Sequence, residues 1–338
     1  MARLADIRYQ SELVAPQGWL INFATMRYLR SLFPFCGLLL LAMIFALVGC
    51  GGSGGGSKAD VRRIYIADGN DRIVRIDNMS GSNWTTFGSS GNGVNQFNFL
   101  ADIAFDSQGR IYCADYSNDR IVRINDMTGA GWTTFGTSGT GTNQFSNPYR
   151  LAIDSFDRIY IVDSGNYRVV RIDDMSGTNW VAYGSQGSGV GQFDGIQGIG
   201  IDSLDRIYVT DYINDRIARF DSMTGTNWTT FGTSGSGVGQ FSGAADIVFN
   251  ESGQMLVTDR NGQLVLTAVM GTAGWTAFSF NTPQSACFDA AGRIYVVDQG
   301  NEVLTRMNNI SGAGLVTFGS SGTGVNQFQG PSTVRLGP

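Results

Sequence analysis

The chain has 338 residues, of which 47 are Gly and only 6 Pro, with a net charge of −5 and no His. Abundant Gly with scarce Pro points to many tight turns in a folded domain rather than to collagen or disorder. The missing imidazoles exclude a Ser–His–Asp triad, a His-ligated metal and a His base, and the acidic balance speaks against a nucleic-acid partner.

Residues 1–25 carry no pattern of their own, and Met26 is the expected start of translation. Arg27 and Arg30 lead into a run from Phe33 to Val48 that is apolar apart from Gly37. At about 1.5 Å per residue its helix falls short of a hydrocarbon core about 30 Å thick, so 26–49 reads as a cleaved signal segment and not a permanent span. Leu47-Val48-Gly49-Cys50 resembles the bacterial lipobox. The resemblance implies cleavage before Cys50 and a lipid on that residue, with 50–60 as a Gly/Ser tether. Gly51 follows instead of Asp, which by the same likeness implies the outer membrane, on its periplasmic or surface side. The expected setting is a lipid-anchored protein of the bacterial cell envelope.

From residue 61 the chain repeats. "RIYIADGNDRIVRID" from Arg63 returns as "RIYCADYSNDRIVRIN" from Arg110, "RIYIVDSGNYRVVRID" from Arg158 and "RIYVTDYINDRIARFD" from Arg206, with weaker copies at Gln254 and Arg293. The Asp closing "IYxxD" stands at 68, 115, 163, 211, 259 and 298, in steps of 47, 48, 48, 48 and 39. Each unit holds four short runs of β-branched and aromatic residues separated by turn residues, such as "ADIAFD", "RIYCAD", "RIVRIND" and "WTTFG". Four strands per roughly 48 residues is the period of a propeller blade. The predicted fold over 61–338 is therefore all-β: a six-bladed β-propeller of four-stranded antiparallel blades. The first unit lacks its innermost strand, while "GSSGTGVNQFQGPSTVRLG" at the end matches in position a stretch that includes the second unit's inner strand. The match is to "GSSGNGVNQFNFLADIAFD" at 88–106, and the last step, of 39 residues, is short because a Gly-rich loop is missing. Ser332–Leu336 is thus expected to complete blade 1 and close the ring. Cys113 and Cys287 replace small or apolar residues of non-neighbouring blades and read as buried free thiols.

These residues resemble the NHL-repeat family of propellers. Its Gly-rich loop, Gln-Phe pair, inner strand and Gly-x-Ile-Tyr-Val-x-Asp-x-x-Asn-x-Arg pattern are matched by "GSQGSGVGQF" at 184–193 and "RIYVTDYINDR" at 206–216. The likeness spans essentially all of 61–338 and implies the fold; a shared fold carries no shared activity.

Groups repeated in every blade read as frame: the Asp series, the Asn series at 70, 118, 166, 214, 261 and 301, and Arg72, Arg120, Arg168 and Arg216. The Trp series at 84, 132, 180, 228 and 275 reads as cover for the blade edge, and the Gly-rich loops lack the helix and Lys of a phosphate loop. Function is expected where the columns vary, at inner-strand entry and just past the repeated Asp. Asp102, Tyr149, Arg150, Gln197, Asp246 and Gln284 stand at the first place, and Tyr116, Ser164, Tyr212, Arg260 and Gln299 at the second. Both loops belong to one face, so these residues form a candidate ligand mouth. In blade 5, Gln263, Leu266, Ala268 and Val269 replace Arg168, Arg171, Asp173 and Asp174 of blade 3, so both signs of charge vanish together. Leu264, Leu266, Val269 and Met270 in "LVLTAVM" become a candidate partner patch if the outer surface exposes them.

The expected function is a monomeric, membrane-tethered recognition or scaffold module. It binds an envelope protein, peptide or glycan through the propeller face, without catalysis, metal or cofactor. The alternative is an enzyme of the central channel. The amidating and streptogramin lyases that share this architecture rely on His, which this chain lacks. A metal-dependent lactonase or esterase would have to use Asp102 and Asp246 as ligands of a hard cation, since past the signal segment Glu occurs only at 251 and 302.

Overall fold

The computed structural model describes residues 62–338. The upstream extension, signal segment, Cys50 and tether lie outside the described residues. Six four-stranded antiparallel sheets follow one another along the chain, five of them simple meanders. Blades 2 to 6 begin with the inner strands Leu100–Phe105, Pro148–Ile153, Ile196–Ile201, Ala244–Phe249 and Pro283–Phe288. Blade 1 takes its inner strand from the other end of the chain: Thr333–Gly337 pairs antiparallel with Arg63–Asp68, with Val334 opposite Ile66. The expected closure is therefore present, displaced by one residue.

The burial pattern explains why these strands stack. In blade 3 all five residues of Ile159–Asp163 are buried, whereas Arg168–Ile172 buries three and leaves both Arg partly exposed. A small twisted sheet covered on both faces needs a continuous apolar run, and only neighbouring blades can supply the cover. Phe145, Ile159, Ile161 and Ile172 accordingly pack with Ala114 and Ile121 of blade 2 in one core.

The repeated corner is the clamp between blades. Asp163 accepts hydrogen bonds from the Ser146 N–H at 2.7 Å, Asn166 Nδ2 at 2.8 Å and Arg168 Nε at 2.7 Å. The Arg168 Nη groups donate to the Thr140 and Gln144 carbonyls of the incoming loop at 2.7 and 2.9 Å, and its guanidinium lies 5.7 Å from the Trp180 ring. Burial pushes the Asp163 carboxyl above its ordinary range, against the pull of those three donors. Asp115 with Asn118 and Arg120, and Asp211 with Asn214 and Arg216, repeat this geometry. The Gly-rich loop thus turns carbonyls toward a guanidinium, the opposite of a phosphate cradle. Gly136 in that loop has φ +106°, and a Cβ there would meet the Phe145 ring at 2.5 Å.

Cys113 and Cys287 are buried free thiols in separate cores, as expected. Burial pushes Cys113 well above the usual thiol range and Cys287 up to about 12. Only the thiolate attacks disulfide reagents. At pH 8 neither residue should label in the native protein, and both should label once denaturant is added, as read by peptide mapping. Equal native and denatured labelling rates would contradict this packing.

None of the four residues expected to form the blade 5 patch is fully exposed. Leu264 is fully buried, and Leu266 is half-buried against the core containing Leu256, Ile294 and Met307. Val269 and Met270 are half-buried against the core around Phe241 and Ile247. Of the four charges lost, only Arg171 and Asp173 stand together in blade 3, at 3.8 Å, whereas Arg168 pairs with Asp163 and Asp174 accepts from Ser176, so they are not one strip. In their absence Leu266 and Val269 of blade 5 pack against neighbouring cores.

Candidate functional site

The end of the ring where chains enter inner strands and leave second strands carries a cavity of about 480 Å³. It is lined by Phe99, Tyr116, Tyr149, Ser164, Gln197, Arg260 and Gln299. Six of these seven stand in the two variable columns. Phe99 was not among the expected residues, although its column carries a signal. The equivalent places in blades 3, 4, 5 and 1 hold Asn147, Gly195, Gly243 and Gly330, all with positive φ, whereas Thr282 in blade 6 does not share it; Phe99 itself sits at φ +58°. A bulky residue in this left-handed region costs on the order of 1–3 kcal/mol.

Aromatic rings wall one side of the cavity. Phe99 meets Tyr116 edge-on at 5.1 Å, and Tyr116 meets Tyr149 edge-on at 5.8 Å. Burial raises the Tyr116 phenol, with Tyr149 and Asp119 adding to it, so it remains a neutral hydrogen-bond donor at neutral pH. Arg260 supplies the charge. Its Nη2 donates to Tyr149 Oη and to Gln284 Oε1, both at 2.8 Å, and its Nε donates to Gln284 Oε1 at 3.1 Å. The guanidinium also lies 5.7 Å from the Tyr212 ring. Tyr212 and Gln284 therefore do not line the cavity; they hold Arg260 in place. Ser164 Oγ donates to the Ile196 carbonyl at 3.0 Å, and Gln299 Nε2 to the Gly330 carbonyl at 3.4 Å. Gln197 Oε1 is buried and accepts no hydrogen bond from the protein.

Three expected mouth residues lie deeper. Asp102, Arg150 and Asp246 are buried in the central channel. The strand registers put Asp102, Arg150, Gly198, Asp246, Ser285 and Thr333 at equivalent places, one residue deeper than Tyr149 and Gln197. Arg150 lies under the Tyr149 ring at 5.3 Å, with Nη2 on the Gln284 and Ser332 carbonyls at 2.9 and 3.0 Å. It also bonds Thr333 Oγ1 and stands 3.5 Å from Asp102. Arg335, which sequence reading passed over, rises from the layer below to 3.3 Å from Asp102 and 3.1 Å from Asp246. Burial opposes its charge, but the two carboxylates outweigh burial and keep it protonated. Two Asp and two Arg thus cross-brace five inner strands under the mouth. Both carboxylates are already paired with cations, so they do not offer the oxygen-rich shell a hard cation needs. Among the described residues no group of three or more His, Cys, Asp or Glu is placed to hold a metal.

Virginiamycin B lyase from Staphylococcus aureus is 16% identical with a TM-score of 0.55, over 77% of this chain and 82% of the lyase chain. A chain of a nidogen–laminin complex is 17% identical with a TM-score of 0.62, over 82% and 98%. A Bacteroides thetaiotaomicron protein of unknown function is 17% identical with a TM-score of 0.56, over 83% and 87%. The chain is a six-bladed β-propeller. At such identities the likeness extends to the fold alone. No family model and no curated protein sequence matches the chain.

The strain at Phe99 makes a prediction with two signs. Phe99→Asn installs the residue that blade 3 uses at the same left-handed position. It should gain about 1 kcal/mol of stability, raising the melting midpoint by about 2–4 °C, while weakening whatever the mouth binds. A variant that lost stability and kept full binding would remove Phe99 from the site.

Proposed function

We propose that the chain is a non-catalytic recognition module that binds a protein, peptide or glycan of the bacterial envelope through the mouth. A lipid on Cys50 holds it at the outer membrane. The observation that carries this reading is the mouth itself. One cavity combines edge-on aromatic walls, a guanidinium held only by neutral groups and an acceptor with no donor. Apolar walls with a few convergent polar groups are the usual make-up of a binding pocket. Strain retained at Phe99 is consistent with that role.

Catalysis has little to work with here. No residue lining the cavity is a carboxylate, a thiol or an imidazole. The lyase likeness does not supply what is missing: a histidine-to-alanine variant of that Staphylococcus aureus lyase is catalytically inactive, and this chain contains no His.

Two experiments separate the parts of the reading. Tyr116→Ala with Tyr149→Ala should abolish binding on peptide and glycan arrays while an ester and lactone panel shows no turnover by either protein. Turnover by the parent protein, or array binding indifferent to the double variant, would contradict it. Cys50→Ser should move the protein from the membrane to the soluble fraction; unchanged membrane retention would refute the anchor.

A further inference from the structure

We infer that the mouth receives the free carboxyl terminus of a peptide, with Arg260 taking the carboxylate and Gln197 the last backbone N–H. This rests on the proposed recognition role and names its ligand. The clamp arginines, such as Arg168 on Asp163 at 2.7 Å, each satisfy a carboxylate of the frame. Arg260 departs from that pattern. Among the described residues no carboxylate pairs with it, and its Nε and Nη2 are held by the neutral oxygens of Gln284 and Tyr149. Those bonds and the Tyr212 ring fix its plane, and Nη1 makes no hydrogen bond. A half-buried cation so placed is completed by an anion, and the open Nη1 can donate a charge-assisted hydrogen bond to a carboxylate oxygen.

The second observation is independent. Gln197, from the adjacent blade 4, lines the same cavity, and its buried Oε1 lacks a donor. A buried acceptor left unpaired by the protein favours a ligand that brings an N–H or O–H. Anion and donor are therefore favoured together in one small space. A peptide terminus presents both, its carboxylate standing beside its own amide N–H. The walls favour this over an acidic sugar. The rings of Phe99, Tyr116 and Tyr149 meet at 75° and 79°. They form a corner that grips an apolar side chain, not the flat platform on which a sugar ring stacks.

The full chain is the test material. It is probed with a random-sequence peptide array displaying free carboxyl termini, the same peptides carboxy-amidated, and a glycan array containing uronic acids. Free-carboxyl peptides should bind, and amidation should weaken each binder about tenfold or more, the range expected for losing a charged hydrogen bond. Arg260→Gln should erase the difference between free and amidated forms, and Gln197→Met should weaken free peptides while leaving the melting midpoint unchanged. Binding that requires Tyr116 and Tyr149 but ignores amidation would overturn the carboxylate assignment and leave the mouth as the site. Uronic acid glycans selected over every peptide would do the same. Binding that ignores Tyr116 and Tyr149, or no binding on any array, would overturn the recognition reading itself.

Discussion

Arg335→Leu is expected to destabilise the propeller by about 3–5 kcal/mol, the range for removing one partner of a buried ion pair. The substitution leaves Asp246, which is 1% exposed, without a cation, and leaves Asp102 with only Arg150 at 3.5 Å. The loss is mostly the cost of an uncompensated buried carboxylate, so neutralising that carboxylate should recover part of it. Arg335→Leu combined with Asp246→Asn is accordingly expected to be more stable than Arg335→Leu alone, as measured by urea denaturation midpoints. A double variant whose losses simply add would show that Arg335 and Asp246 do not act as a pair. Mouth ligands should bind the double variant as they bind the parent, because the brace lies beneath the cavity.

Removal of residues 328–338 should have a larger effect. Phe328 is fully buried in the core of blades 6 and 1, and Thr333–Gly337 is the only inner strand blade 1 has. The deletion takes a core aromatic, typically about 3–5 kcal/mol by itself, and also Arg335 and Thr333 from the channel brace. It further bares the edge of Arg63–Asp68, whose five paired residues then face solvent. The melting midpoint should fall by at least about 10 °C, or the protein should fail to fold. A synthetic peptide of 328–338 added in trans should restore part of the loss by re-adding the strand. An unchanged midpoint would refute closure by the carboxyl-terminal strand.

The fold was legible because it is written six times. The spacing of the repeated Asp and the missing first strand of blade 1 together dictated the ring and its closure, and only the bounds of the closing strand differed, by one residue. The mouth was legible for a related reason. Where Asp163, Asn166 and Arg168 recur, they clamp blades; where a column changes from Tyr116 to Ser164 to Arg260, the side chains face the cavity. What could not be read was depth. Arg150 and Tyr149 are neighbours in sequence, yet the register shift between Pro148 and Leu151 puts one in the channel and the other at the rim. Arg335 was missed because it comes from the one inner strand that arrives from the far end of the chain. A signal existed: its column otherwise reads Ala104, Ala152, Gly200, Val248 and Cys287, small or apolar throughout. Blade 5 misled in the other direction, because loss of charge at Leu266 and Val269 looks the same in sequence whether the residues turn outward or pack inward.

The most direct measurement is site-specific photocrosslinking from the two ends of the ring. A benzoyl-phenylalanine at Phe99 stands at the mouth, and one at Phe156 stands in the Asp154–Arg158 turn at the opposite end, where Phe156 is 71% exposed. Either probe is placed in the full chain and irradiated in intact envelopes. Adducts formed from Phe99, absent from Phe156 and lost with Tyr116→Ala are the predicted result. Adducts formed equally from both ends, or only from Phe156, would contradict the mouth as the binding site.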